Sequence, residues 1–266
     1  MTSIAAIGNL SLDRVSGAPP RPGGTVFYSA RTLALLGSDA QIAASCATAD
    51  RAALIPRLEA FGLPATWYEA AATTAFSFRY VRSGRRIMRL DAVGKQWSPE
   101  DALAAAGDAR WVHIGSLVRT DFPSETLAAL VGAEKKLLVD AQGLVRTAAL
   151  GPLRANGEIG DVLEYVRMLK LDDSEAATLV GSADPDRLRS LGVPEVILTL
   201  GAKGSILVLP DRFEAVPAVD IQATVDPTGA GDAYAAAYLA ARSNGAEPLE
   251  AARTATRTTA ELLAAS

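Results

Sequence analysis

Cysteine and histidine are nearly missing from this chain of 266 residues, which has one of each, Cys46 and His113. A single thiol excludes a disulfide framework, and the pair excludes a Cys/His zinc centre. A Ser-His-Asp hydrolase would have to use His113, which lies in the apolar run WVHIGSL. That run reads as a buried strand, and His113 as a core or strand-end residue. A basic excess is missing too: the formal charge is −4. Phosphate neutralisation needs a positive surface, so nucleic acid is not the expected partner. No apolar run reaches the length of a membrane span. The opening MTSIAAIGNLSLD lacks the basic start of a secretion signal and breaks at Gly8 and Asn9. These absences point to a soluble, cytoplasmic protein.

What is present is apolar material, 49% of residues against 21% charged, enough for the core of one large domain. The expected domain spans 1–266, since no linker, repeat or low-complexity tract interrupts it. Short apolar runs alternate with helical patterns. Expected strands are IAAIG (within 3–8), QIAAS, WVHIG, LLVDA, VRMLKL, VILTL and SILVL. Expected helices are TVFYSARTLALLG, DRAALIPRLEAFG, SPEDALAAAG, PSETLAALVGAEKK, SEAATLVG and DPDRLRSLG. Several begin at Ser or Asp and end at Gly, as helix caps do. The alternation predicts an α/β domain on a mostly parallel sheet, with ligands beyond the carboxyl ends of its strands.

One stretch breaks this pattern. TTAFSFRYVRSGRRIMRLDAVG (73–94) reads as a β-hairpin turning at Ser83-Gly84. That turn pairs Tyr80 with Ile87 and Phe78 with Arg89, and leaves both faces half apolar. Such a hairpin suits a flap. Arg82, Arg85, Arg86 and Arg89 either meet an anionic ligand or form a solvated edge.

The most informative stretch is DPTGAGDAY (226–234), a glycine turn running into an alanine-rich helix. A helix N-terminus offers unpaired N–H groups and a positive dipole end, and Gly229, Ala230 and Gly231 would let an anion approach them. It is not a P-loop, and IGNLSLD is not a Rossmann fingerprint. Asp232 either caps the helix or acts on a ligand. The dipole and nearby N–H groups predict a lowered pKa, hence a weak base. A weak base suffices for phosphoryl transfer, where it mainly aims the attacking hydroxyl, an effect worth ~10²- to 10⁴-fold.

DPTGAGDAY resembles the C-terminal signature of the ribokinase-like, PfkB-type carbohydrate kinases. The resemblance makes Asp232 the catalytic base and Gly229, Ala230 and Gly231 the anion hole. Other stretches follow in family order over essentially the whole chain. IGNLSLD resembles the first strand, with Asp13 at the position that binds substrate hydroxyls. PGGTVFYSARTLALLG resembles the di-glycine substrate motif, with Gly23 and Gly24 matching. VDAQGLVR (139–146) and LKLDDSEAATLVG (169–181) resemble two central segments. Glu175 matches the glutamate associated with magnesium, and Asp172 replaces the usual asparagine beside it. TLGAKGSILV (199–208) resembles the nucleotide stretch through Thr199, Gly201 and Gly204, with Thr228 joining from the glycine turn.

The resemblance implies a three-layer α/β/α fold with a small, reduced β lid formed by about 13–23 and 73–93. It implies ATP as donor and Mg²⁺, held through water by Glu175 and Asp172. The acceptor would be a hydroxyl of a sugar, an inositol-like polyol or a nucleoside.

Some positions depart from the family. Tyr28 stands where asparagine is common, and either stacks on a substrate or packs on the sheet. The short spacing between Asp13 and Gly23 predicts that lid strands are missing there, which argues against a dimer of clasped lids. A monomer or homodimer is expected. Asp226 and Thr228 match one half of a monovalent-cation site, and the absent other half argues against potassium activation. Thr256 replaces an asparagine near the adenine pocket. The alternatives are a ligand-binding protein without turnover and a pyridoxal-type vitamin kinase.

Overall fold

Ile4–Asn9 is buried at every position because it runs through a sheet covered on both faces. Ile4 and Ala6 enter one hydrophobic cluster, and Ala5 and Ile7 the other. The computed structural model describes residues 3–15, 18–80, 86–221 and 227–265. Among them the main sheet has nine strands, in the order Phe213–Val216, Ser205–Val208, Glu195–Thr199, Met168–Asp172, Lys136–Asp140, Trp111–Gly115, Ile4–Asn9, Ala40–Ala47 and Ala65–Ala70. Neighbours from Glu195–Thr199 to Ala65–Ala70 pair in parallel, and the remaining edge is antiparallel.

Helices Thr25–Leu35, Thr48–Glu59, Ala230–Ser243 and Pro248–Ala264 cover one face. Pro99–Ala106, Ser124–Gly132 and Asp173–Val180 cover the other. The layers are therefore α/β/α. The chain first builds outward from Ile4–Asn9 to Ala65–Ala70, then returns to Trp111–Gly115 and continues the other way. The order reverses between Ile4–Asn9 and Trp111–Gly115, and a crevice at the carboxyl ends of strands is expected at such a point.

A second sheet, in the order Gly151–Pro152, Arg86–Ala92, Thr74–Tyr80, Ser11–Val15 and Arg21–Gly23, forms a small lid. The short segment after Asp13 still contributes a strand pair, Ser11–Val15 with Arg21–Gly23. The lid hairpin corrects the predicted register by one residue: Phe78 pairs with Met88, Phe76 with Leu90 and Arg79 with Ile87. Within the described strands the change comes at an irregularity between Ala75 and Phe76: Ala75 pairs with Ala92, in the predicted register, and the pairs beyond it are one residue off. Ser83, Gly84, Arg82, Arg85 and Val81 lie outside the described residues. The slip changes what the lid presents. Phe76, Phe78, Met88 and Leu90 share one apolar face, packed on Leu117 and Val118, while Ser77, Arg79, Ile87 and Arg89 share the other. Arg89 lies 3.9 Å from Asp91, an ion pair on the lid itself.

His113 is buried in its strand, with Nδ1 3.0 Å from the Ser29 hydroxyl. Burial drives its pKa down to about 4, so the ring is neutral and structural.

Candidate active site

Asp13 enters the crevice from the lid strand Ser11–Val15 and is buried. The Ser11 hydroxyl donates to its Oδ1 at 2.8 Å. Gly23, on the paired strand, leaves it room, since a Cβ there would come within 2.6 Å of Asp13 Oδ2 and 2.7 Å of Ser11 Oγ. Gly24 follows as the N-cap of helix Thr25–Leu35. The di-glycine pair and Asp13 therefore form one local unit.

Gly229 begins the helix Ala230–Ser243 in the left-handed region, at φ 81°. Its missing side chain is filled by Tyr28, whose ring would lie 2.3 Å from a Cβ. Tyr28 thus packs on the glycine turn, edge-on to Phe27. Ala230 N–H closes onto Pro227 O at 3.0 Å, and Ala233 N–H onto Gly229 O at 2.8 Å. Between them, the N–H groups of Gly231 and Asp232 bond to no described residue. The Ala230 N–H is therefore engaged within the turn, while those of Gly231 and Asp232 have no partner among the described residues. Thr228 accepts from Arg21 of the lid at 3.3 Å. Asp226 lies outside the described residues.

Asp232 follows in the first helical turn. Its Oδ1 is closed from solvent and has no hydrogen-bond partner among the described residues. Its pKa corrects the expectation of a lowered value: it is pushed up to about 6. Burial is the main cause and the Asp140 charge adds to it. Lys170, the Thr25 hydroxyl and Arg146 pull the other way without winning.

Lys170 and Asp140 were not singled out in the sequence. They are register partners on adjacent parallel strands, which places both side chains on one side of the sheet. Lys170 Nζ lies 3.0 Å from Asp140 Oδ2, and both residues are buried. A Cβ on Gly231 would lie 2.7 Å from the same ammonium, so Lys170 reaches the glycine turn. Burial opposes the charge on Lys170, yet Asp140, Glu175 and Asp232 together raise its pKa. The signal for it was a lysine inside an otherwise apolar strand, MLKL, where a charge requires a partner.

Asp172 and Glu175 form a capping box at helix Asp173–Val180. Asp172 Oδ1 accepts from Glu175 N at 2.8 Å, and Glu175 Oε2 accepts from Asp172 N at 2.9 Å. Burial raises the Glu175 pKa to about 7, against the pull of Lys170. Thr199 is the register partner of Asp172, and its hydroxyl donates to Leu171 O at 3.2 Å. Gly201 opens an exposed turn after that strand, and Gly204 lies under the Val216 carbonyl. These residues line the same carboxyl edge as the glycine turn. Thr256 sits apart from open space, buried and donating to Ala252 O at 3.0 Å.

The segment 141–146 supplies a further wall. Gln142 N donates to Asp140 Oδ1 at 3.1 Å, and Gln142 Nε2 donates to Thr25 Oγ1 at 2.8 Å. The Arg146 guanidinium lies 6.0 Å from the ring centre of Phe76 in the lid. Arg119 holds the loop by donating to Leu144 O at 2.9 Å and Asn156 O at 3.0 Å.

Comparison with known proteins adds to this geometry. The family model described as pfkB family carbohydrate kinase matches residues 9–265. A 1-phosphofructokinase of Haloferax volcanii is 31% identical over 176 residues, covering 57% of each chain. A 2-dehydro-3-deoxygluconokinase of Thermoproteus tenax is 30% identical, covering 64% of this chain and 54% of its own. The chain thus spans little more than half the length of these curated relatives. Among solved structures, a pyrophosphate-dependent myo-inositol-1 kinase converted into a myo-inositol-3 kinase superposes with a TM-score of 0.85 at 25% identity, over 98% of this chain and 93% of that one. An Arabidopsis thaliana ribokinase complexed with ribose and ATP shares the fold, with a TM-score of 0.75 at 18% identity, over 98% and 92%.

Proposed function

The chain belongs to the pfkB family of carbohydrate kinases, and from that premise we propose that it transfers a phosphoryl group to a hydroxyl of a sugar or an inositol-like polyol. One observation carries this reading. Among the described residues, Asp232 Oδ1 is enclosed without a partner, and the N–H groups of Gly231 and Asp232 at the same turn have none either. A buried polar atom left without a partner costs free energy, so it calls for an explanation. A substrate hydroxyl that hands over its proton there supplies one.

In this mechanism Asp13 orients the acceptor by accepting hydrogen bonds from its hydroxyls. Asp232 Oδ1 receives the proton of the attacking hydroxyl as the new O–P bond forms and the bond to the donor's leaving phosphate breaks. The N–H groups of Gly231 and Asp232, with Lys170, face the charge on the transferred group, where a donor of this kind is worth roughly 3 kcal/mol. The lid's apolar face excludes water, which keeps the phosphoryl group from hydrolysis.

Among the described residues no cluster of three metal-binding side chains exists. Each of Asp172 and Glu175 commits one oxygen to the capping box and keeps the other outside it. That donor set suits Mg²⁺ held through water and phosphate oxygens, as this ion prefers. Bound there, Mg²⁺ would neutralise charge on the donor phosphates.

ATP is the proposed donor, with Thr199, Gly201, Gly204 and Thr228 on its side of the site. Inorganic pyrophosphate is the second reading, favoured by the likeness to the pyrophosphate-dependent inositol kinase. The test is product formation from myo-inositol, D-ribose, D-fructose and adenosine, each with ATP or pyrophosphate and Mg²⁺. Acceptor-dependent turnover that Asp232→Asn lowers by ~10²-fold or more supports the reading. Thermal shifts without turnover for any pair would identify a binding protein instead.

A further inference from the structure

The lid touches the glycine turn through Arg21. Its guanidinium donates from Nη2 to Thr228 Oγ1 at 3.3 Å, joining residues 207 positions apart. Arg21 opens the lid strand Arg21–Gly23, is half-buried, and is the register partner of Asp13. Opposite residues of an antiparallel pair project from the same face, so Arg21 and Asp13 leave the lid side by side. Pro22 points the other way and Gly23 has no side chain, so Arg21 is what this strand extends into the crevice. We propose that Arg21 is the lid's contact with the transferred phosphoryl group, a guanidinium that binds the phosphate oxygens as the acceptor hydroxyl attacks. The inference rests on phosphoryl transfer at this turn.

Thr228 stands directly before Gly229, the N-cap of helix Ala230–Ser243. A group bonded to Thr228 therefore sits at the entry to the turn that carries the Gly231 and Asp232 N–H groups. Lys170 reaches the same turn from the sheet, its ammonium 2.7 Å from where a Gly231 Cβ would lie. A phosphoryl group in transfer spreads its charge over three equatorial oxygens. Helix N–H groups, an ammonium from the sheet and a guanidinium from the lid meet that charge from three separate elements.

The chemistry of the side chain suits the task. A guanidinium presents five N–H donors in a planar fork, so it can hold a hydroxyl on one edge and phosphate oxygens on another. The Thr228 oxygen offers it no charge, and a phosphoryl oxygen does. The arrangement also links the two reactants. Asp13 orients the acceptor and Arg21 the phosphoryl group, and a single strand pair sets the spacing between them. Holding both from one element fixes the attacking oxygen against phosphorus.

The test compares Arg21→Met, which keeps the stem and loses the charge, with Arg21→Lys and Thr228→Val, using the acceptor and donor that yield product. Calorimetric titration with that donor, without acceptor, measures ground-state binding. In Arg21→Met kcat should fall roughly a hundredfold, as for loss of one donor to developing charge. The donor Kd should rise less than about fivefold, because the contact strengthens in the transition state. Acceptor KM should stay within about threefold, since Asp13 keeps its bond from Ser11. Arg21→Lys keeps a charge without the fork and should regain about tenfold of the lost kcat. Thr228→Val breaks the bond to the turn but keeps the guanidinium, and should cost less than about tenfold in kcat. A guanidinium that only ties the lid down predicts otherwise: Arg21→Met and Thr228→Val lose equal activity and both raise acceptor KM. That result overturns the proposal. Should Arg21→Met fail to fold, Arg21→Gln takes its place. Parental kcat in folded Arg21→Met beside an inactive Asp232→Asn overturns the Arg21 contact alone. A parent without turnover for any acceptor and donor overturns the transfer reading, and the contact with it.

Discussion

A Cβ on Gly23 would lie 2.6 Å from Oδ2 of Asp13 and 2.9 Å from its Cγ, closer than atoms tolerate. The glycine is needed for contact rather than for an unusual φ. Gly23→Ala must push the Asp13 carboxylate off the position that Ser11 holds. The expected result is a rise in acceptor KM of roughly tenfold or more, since hydrogen bonds to a charged group are worth about 1.5–3 kcal/mol. The melting temperature should change little. Michaelis–Menten kinetics beside thermal melts would check this, and an unchanged KM would separate Asp13 from acceptor binding.

Asp121 provides a pH handle away from the chemistry. It is fully buried, accepts from Leu117 N at 2.8 Å, and its Oδ1 has no partner among the described residues. Burial raises its pKa to about 7, over the opposing backbone bonds. A carboxyl whose pKa is higher in the folded state favours folding while it is protonated. Its contribution is complete below the unfolded pKa, near 4, and is lost as pH rises through about 7. Asp121→Asn cannot ionise and can still accept from Leu117. Its melting temperature should match the parent near pH 4 and exceed it at pH 8. Parallel curves across that range would show that Asp121 does not titrate as described.

The sequence announced the central strands because both sheet faces are covered, which turns them into short apolar runs such as IAAIG. It hid Ala65–Ala70 and Phe213–Val216, edge strands of the main sheet whose mixed exposure leaves no such run. The lid register was missed because the ladder shifts by one residue between Ala75 and Phe76, which the alternation of the sequence does not mark. Of the candidate site, the sequence could point to the residues carried by glycine motifs. Thr25, Asp140, Gln142, Arg146 and Lys170 were not, because their meaning comes from pairing between strands far apart in sequence. The raised pKa of Asp232 was hidden for the same reason. A local reading sees the helix end, but only the fold shows burial beside Asp140.

Lys170 is the cation on which this buried group of acids depends. Its ammonium pairs with Asp140 and is felt by Glu175 and Asp232, so one positive charge faces three carboxyls. Lys170→Met removes that charge and keeps most of the volume. Breaking a buried pair by removing one partner costs ~3–5 kcal/mol, because the other charge is left uncompensated. The carboxyls escape that cost only by binding protons, so their folded pKa values must climb further. Stability gained this way is present at low pH and lost as pH rises. The deficit of Lys170→Met should therefore be large at pH 8 and shrink toward pH 5, as read by denaturant melts. Adding Asp140→Asn should recover part of the loss at pH 8, since it removes the acid left without its partner. A deficit equal at both pH values would mean that the lysine stabilises the site by packing rather than by charge.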